Sequence, residues 1–369
     1  MINKRLLIFA AYFWPHKGGH EQYALETARR LHQNGWKIDI VTSLLPGTKA
    51  REQVEGMQVY RIPIWHLLDG TYPVPKPCEM NELLLKLAEN KYAAVITHTR
   101  FFPTSFFGAE FAKKNKIPHL HVEHGSVHPK TRFLLRPLVR LYDHTFGARV
   151  VRSATIVAGV SLAAERFAKH LCNRKTILLP NAIDTNFFSK KEQNRGSLQK
   201  TITFVGRLIK AKGVQDLLAA AKGLSGARLL IVGSGPYEHQ LRKMTGANVH
   251  FLGEKDKFGV RTALSKTDIF VNPSYSEGLP TSVLEAGAMG VPVIATDVGG
   301  TREILENRAN GLLIEPKNIK SLQRAIAELL IDKEKRRRFG RALQKKVRRE
   351  FDWNVTVKQM QKELDGMTR

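Results

Sequence analysis

Short runs of consecutive apolar residues alternate along this chain with longer stretches in which apolar residues recur every three or four positions. The short segments at residues 6–10, 37–42, 57–62, 93–97, 119–123, 155–158 and 176–179 read as strands. Residues 21–33, 81–90, 105–115 and 162–170 carry the helical spacing. Strand and helix in alternation predict parallel sheets covered by helices, hence an α/β fold. Residues 72–77, with three prolines, read as a surface loop, and the polar tract 189–200 as a linker into a second alternation. One segment, 130–152, stands apart: Arg132, Arg136, Arg140 and His144 recur every four residues beside Leu134, Leu138, Leu141 and Tyr142, with Pro137 marking a helix start.

A chain of 369 residues exceeds the usual limit for one core, so about two domains are expected. With 43% apolar residues, disorder is not indicated. The 59 Lys and Arg outnumber 33 Asp and Glu, and a net charge of +26 suits polyanions: nucleic acid, an anionic membrane face or substrate phosphates. Cys78 and Cys172 stand far apart without a CxxC spacing, which fits a reduced cytoplasm better than a disulfide framework. The apolar run after Lys4 and Arg5 is too short to span a bilayer and lacks a cleavage site, so it reads as a first strand.

Candidate chemistry concentrates in the stretch from Asn272 to Thr296. There a buried strand gives way to the loop Ser276-Glu277-Gly278-Leu279 and then to a helix expected to start near Pro280 and end near Gly290. A helix opening directly after a strand aims unpaired N–H groups, here those of Gly278, Leu279, Thr281 and Ser282, at a place where an anion is favoured. Glu285 lies about 7.5 Å farther along the helix, within reach of a sugar diol next to a phosphate seated there. Glu277 stands on the loop at the strand's C-terminal edge, where open α/β sheets bind ligands.

Upstream, Gly206-Arg207 and Lys212-Gly213 form a glycine loop with two cations, a guanidinium fork and a mobile ammonium, suited to a diphosphate. Gly233 and Gly235 do not complete G-x-G-x-x-G, which disfavours a nicotinamide or flavin cofactor. Gly18-Gly19 again follows a strand and opens a helix. Strand alternation places His119 and His121 on one side and His124-Gly125 at the strand end. No cysteine or Asp-x-Asp accompanies these histidines, so no metal is expected.

Taken in order, Gly18-Gly19, His124-Gly125, Asn181 to Phe188, Arg207 to Gly213, Gly233 to Pro236, Glu277 to Glu285 and Trp353 resemble the motif series of retaining glycosyltransferases of family four, with their Glu-x7-Glu signature. The resemblance covers essentially the whole chain. It implies a GT-B fold, two Rossmann-like domains with parallel sheets facing across a cleft: 1–180 on the acceptor side, 181–350 binding the nucleotide sugar, and a helix at 351–369 returning to the first. It implies a retaining, metal-independent transferase moving a hexosyl group from a UDP-, GDP- or ADP-sugar to a hydroxyl, with no further cofactor.

By resemblance, Glu285 serves the ribose; Gly278, Leu279, Arg207 and Lys212 the diphosphate; Glu277 and His124 the sugar; and Gly18-Gly19 the loop between donor and acceptor. Two residues depart from the family pattern: Ala182, where Pro-Asn-Gly is usual, and Glu123 before His124. The resemblance also implies a glycan or lipid-linked acceptor in the cell envelope and a cytoplasmic enzyme, with peripheral attachment to the membrane face an open alternative. For the basic segment 130–152, docking on an anionic surface and packing within its own domain remain equal readings. The rivals are a nucleotide-sugar epimerase of the same architecture and a nucleic-acid or polyanion binder. The latter lacks recognisable modules and stacking surfaces, so no nucleic acid is expected. The ten basic residues between Lys333 and Arg349 read as a solvated helix face.

Overall fold

The fold is described from a computed structural model, which describes residues 4–16, 18–67, 72–125, 136–172, 174–189, 199–222 and 226–368. The chain divides into two compact units, 1–181 with 356–369, and 182–355.

The first unit runs β1 (Arg5–Phe9), α1 (Gly19–Gln33), β2 (Lys37–Ser43), β3 (Arg51–Val54), β4 (Met57–Ile62), β5 (Ile64–Leu67), β6 (Tyr72–Pro75), α2 (Pro77–Ala88), β7 (Ala94–His98), α3 (Pro103–Lys114), β8 (His119–Glu123), α4 (Arg136–Tyr142), a π turn (Asp143–Gly147), α5 (Ala148–Ser153), β9 (Ile156–Gly159), α6 (Leu162–Leu171) and β10 (Lys175–Leu178). Its sheet has the order β10-β9-β8-β7-β1-β2-β4-β3, parallel except for β3 against β4. Strand order reverses at β1, so the C-terminal ends of β1 and β7 flank the crevice where such sheets take ligands. Leu7, Phe9, Val41 and Val95 pack with Met80, Phe111 and Tyr92 on one face.

Residues 72–77 are not the surface loop expected from their prolines. Tyr72–Pro75 is a strand paired antiparallel with β5, Tyr72 and Pro73 are buried, and Pro77 opens α2. A two-stranded ribbon is all edge, so proline's missing N–H removes no central ladder bond there. The described part of the basic segment is helical from Arg136 to Ser153, as the start near Pro137 suggests, with a π turn between α4 and α5. Arg140 and His144 are exposed, and Asp143, which opens the π turn, is turned inward onto Arg100. Arg132 and Leu134 lie outside the described residues, as does most of the tract 189–200.

The second unit runs β11 (Lys200–Val205), a 3-10 turn (Lys210–Lys212), α7 (Val214–Ala221), β12 (Ala227–Val232), α8 (Glu238–Arg242), β13 (Val249–Gly253), α9 (Lys257–Ser265), β14 (Ile269–Asn272), α10 (Thr281–Ala288), β15 (Val293–Thr296), α11 (Thr301–Ile304), β16 (Leu312–Ile314), α12 (Ile319–Ile331) and α13 (Lys333–Glu350). Its sheet is parallel, in the order β13-β12-β11-β14-β15-β16, and reverses between β11 and β14. Helix α13 is basic outside and apolar inside: Phe339, Leu343 and Val347, spaced by four, are buried, and a side chain on Gly287 of α10 would strike Leu343 and Val347. The basic run is thus a solvated face except at Arg336, which is buried and donates to Leu329 O and Leu330 O, and the reverse side of the helix holds α10 in place. Helix α14 (Trp353–Met367) begins in this unit, and from Thr356 onward it belongs to the first, where Thr356 Oγ donates to Pro180 O and Lys175 pairs with Glu363.

Candidate functional site

In the second unit the reversal between β11 and β14 determines what meets. The loop after β11 carries Arg207 and Lys212, and the loop after β14 carries Glu277. Lys212 Nζ donates to both carboxylate oxygens of Glu277 at 2.7 and 2.8 Å. Ser274 Oγ donates to Glu277 Oε1 at 2.6 Å, and Asn272 Nδ2 reaches it at 3.4 Å. Glu277 is mostly covered, Lys212 about one-quarter exposed, and Arg207 exposed with no protein partner among the described residues.

Two glycines make this convergence possible. Gly213 has φ 68°, and a Cβ there would sit 2.0 Å from Pro273 O; Gly299 has φ 55°, and its Cβ would sit 1.9 Å from Glu277 O. The Glu277 loop is therefore wedged between two close-packed turns, latched by Tyr275 N–H on Ala211 O at 2.8 Å and Gly300 N–H on Gly278 O at 2.6 Å. Tyr275 is braced from its hydroxyl, which donates to Asp216 at 2.9 Å and accepts from Gln215 at 2.6 Å.

Helix α10 begins at Thr281, with Pro280 as its N-cap and not its first helical residue. The N–H groups of Gly278, Leu279, Thr281 and Ser282 have no protein acceptor among the described residues. Nothing lies within 4 Å of where a Gly278 Cβ would be, whereas the Leu279 side chain is buried in the core, so only its backbone faces outward. Glu285 is half-buried, has no protein partner among the described residues, and burial pushes its carboxyl up to about 8. An unpaired carboxyl at such a depth costs free energy until something donates to it.

Gly18, Gly19 and His124 belong to the first unit. Gly18 is extended, and a Cβ there would collide with the Glu21 carboxylate at 2.2 Å; around Gly19 the space is open. Glu21 is buried against His16 at 2.8 Å and His20 at 3.1 Å. Burial alone would raise its carboxyl, but His20 and then His16 hold it below the usual range. His124 sits at the end of β8 with its Nε2 3.2 Å from His98 Nδ1, edge-on to Tyr23 at 5.1 Å and 6.0 Å from the His20 ring. Burial pushes His98 down to about 3 and, with His98 beside it, His124 well below its ordinary value. Both imidazoles are therefore neutral at physiological pH. His119 and His121 share one side as strand alternation requires, each 2.8 Å from Thr97 Oγ. Among the described residues no group of three or more His, Cys, Asp or Glu has metal-holding geometry. Ala182 is buried without a positive φ, so the glycine usual there is not required.

Ser274, Asn272, Tyr275 and the Gly299 latch do not stand out in the sequence. Ser274 and Asn272 lie two residues apart near the strand end, a spacing that puts both on the Glu277 side, but nothing in the sequence aims them.

Residues 186–346 match the family Glycosyl transferases group 1, and residues 17–187 match Glycosyltransferase Family 4. An uncharacterised glycosyltransferase of Methanocaldococcus jannaschii is 28% identical over 98% of each chain. A GDP-mannose-dependent alpha-(1-6)-phosphatidylinositol monomannoside mannosyltransferase of Mycobacterium tuberculosis is also 28% identical over 98% of each. A sucrose-phosphate synthase from Thermosynechococcus elongatus superposes with a TM-score of 0.82 over 99% of each chain at 22% identity, which shows the GT-B fold. The chain belongs to the group 1 glycosyltransferases of family four.

Proposed function

We propose that this glycosyltransferase is retaining and metal-independent, and that it moves a hexosyl group from a nucleoside diphosphate sugar to an acceptor hydroxyl. The observation that carries this reading is the Lys212–Glu277 pair beside the unpaired amides of Gly278 and Leu279. A diphosphate taken up there meets Lys212, the exposed Arg207 and the start of α10, all of which favour negative charge. The ribose diol donates to Glu285, which lies about 6 Å along the axis from Thr281. Glu277, freed from part of its bond to Lys212, accepts from hydroxyls of the transferred sugar, and His124 serves the same sugar through its neutral ring.

In the transfer step the bond from the anomeric carbon to the phosphate oxygen breaks. The acceptor oxygen bonds to that carbon on the same face, and its proton passes to the departing phosphate oxygen. Arg207 and Lys212 neutralise the charge that develops on the diphosphate, and stabilising such developing charge usually lowers the barrier more than any other single effect. The acceptor is a lipid-linked or cell-envelope glycan, in keeping with the phosphatidylinositol monomannoside named for the mycobacterial relative and the teichuronic acid named for one of Bacillus subtilis. The enzyme works in the cytoplasm at the membrane face.

The test is transfer from a panel of UDP-, GDP- and ADP-hexoses to a soluble glycan acceptor in the presence of a chelator, with the product's anomeric configuration read by NMR. Product of the donor's own anomeric configuration, formed at an unchanged rate with chelator, is expected. Inverted product or loss of turnover on chelation would contradict the reading, and conversion of the donor without an acceptor would favour an epimerase.

A further inference from the structure

Glu123 stands directly before His124 in the chain, and its contacts bear on how that histidine is held. It closes β8, is fully buried, and divides its two oxygens between different tasks. Oε2 lies 2.8 Å from Arg100 Nη1 and 3.3 Å from His121 Nε2. Oε1 accepts the Gly125 N–H at 2.8 Å, closing a turn whose middle residue is His124. Arg100, also fully buried, is itself held by Asp143 at 2.8 and 2.9 Å and lies over the Phe167 ring at 4.4 Å. Burial alone would raise the Glu123 carboxyl, but Arg100 and His121 hold it well below the usual range, so it stays an acceptor.

A buried carboxylate–guanidinium–carboxylate bridge is weak support for stability, because apolar residues of equal volume often serve as well. What an apolar residue would not supply here is the oxygen that takes the Gly125 N–H. That bond sets the direction in which the backbone leaves β8, and so the direction of the His124 ring. The His98 contact engages Nε2 of His124, and Nδ1 has no protein partner among the described residues. We propose that Glu123, anchored by Arg100, is a positioning residue for His124, fixing the turn that holds its imidazole against His98 with the other nitrogen turned outward. The proposal rests on the reading above only in that His124 serves the transferred sugar.

The experiment compares Glu123→Ala, Glu123→Gln, His124→Ala and the Glu123→Ala/His124→Ala double variant for kcat and donor KM. It also records the imidazole nitrogen NMR signals of His124 in the folded proteins. Glu123→Ala is expected to lower kcat by about tenfold or more, the scale of a misplaced active-site group, with donor KM little changed. The same change in the His124→Ala background is expected to add less than about twofold, because the two act as a unit. Glu123→Gln, whose amide oxygen still accepts from Gly125, is expected to recover part of the loss, and the His124 signals should move in Glu123→Ala. An equal loss in both backgrounds, or His124 signals at their wild-type positions in Glu123→Ala, would overturn the proposal. If His124→Ala leaves kcat unchanged, the role of His124 on the sugar fails, and the NMR signals alone then decide whether Glu123 orients the ring. If Glu123→Ala does not fold, Glu123→Asp is judged by the same signals: it keeps the charge opposite Arg100 but draws the oxygen back from the Gly125 N–H, so the signals must shift, and wild-type positions would overturn the proposal.

Discussion

Lys212 and Glu277, 65 residues apart in sequence, share a two-pronged ion pair, with the ammonium 2.7 and 2.8 Å from the two carboxylate oxygens. Neither residue is fully exposed, and Glu277 keeps Ser274 and Asn272 as further partners. The pair holds a cation ready for a diphosphate beside an anion ready for hydroxyls, and the protein keeps them neutral together until a ligand separates their tasks. Removing one partner should therefore affect catalysis more than folding.

For Lys212→Ala and Arg207→Ala, kcat/KM should fall by about 2–4 kcal/mol of transition-state stabilisation each, the scale of one lost charge-stabilising donor. Steady-state kinetics with the preferred donor measures this. Turnover within about threefold of wild type for both variants would remove these cations from the mechanism.

Lys212→Met alone leaves the covered Glu277 short of its main partner and should lower stability by about 1–2 kcal/mol. Adding Glu277→Gln should restore most of that loss without restoring activity, because the amide still accepts from Ser274. Thermal denaturation of the single and double variants measures the coupling, and additive losses would mean that the pair is not energetically linked.

Glu285 should leave a pH signature. Its folded-state pKa, pushed up to about 8 from 4.5, means that the folded protein holds a proton which the unfolded chain releases between those values. Stability should therefore fall as pH rises from about 4.5 to 8, by about 3–5 kcal/mol, and Glu285→Gln should abolish that part of the slope. Hydroxyls donating to Glu285 favour its ionised form, so donor binding near neutral pH should release protons. Calorimetric titration in buffers of different ionisation enthalpy detects this, and equal proton release in Glu285→Gln would assign it elsewhere.

Much of the fold is legible in the sequence, because apolar runs such as those within Arg5–Phe9 and Ile269–Asn272 are buried on both faces and carry their own signal. Tyr72–Pro75 is not, because proline usually marks a loop, and only pairing with Ile64–Leu67 makes this stretch a strand. The basic segment has a regular four-residue spacing and is helical, yet the inward pairing of Asp143 with Arg100, a contact across 43 positions, is announced by no local pattern. In the same way, the stretch from Glu277 to Glu285 advertises a loop opening a helix. Its pairing with Lys212 depends on two tight glycine turns, Gly213 and Gly299, whose packing partners are remote in sequence.

The exposed face of the π-turn region carries Arg140, Leu141, His144, Phe146 and Arg149. Among the described residues no helix is long and apolar enough to cross a membrane. Binding through this face should be salt-sensitive and selective for anionic vesicles. Sedimentation at low salt measures it, and equal recovery with neutral and anionic vesicles would leave Leu141 and Phe146 as ordinary surface residues.

The most direct measurement is calorimetric titration of the protein with UDP, GDP and ADP, repeated on Arg207→Ala, Lys212→Ala and Glu285→Gln. The account predicts that one nucleotide binds clearly and that each variant weakens it by about tenfold or more, the cost of a lost charged hydrogen bond. Binding of none of the three, or binding that all three variants leave unchanged, would contradict it.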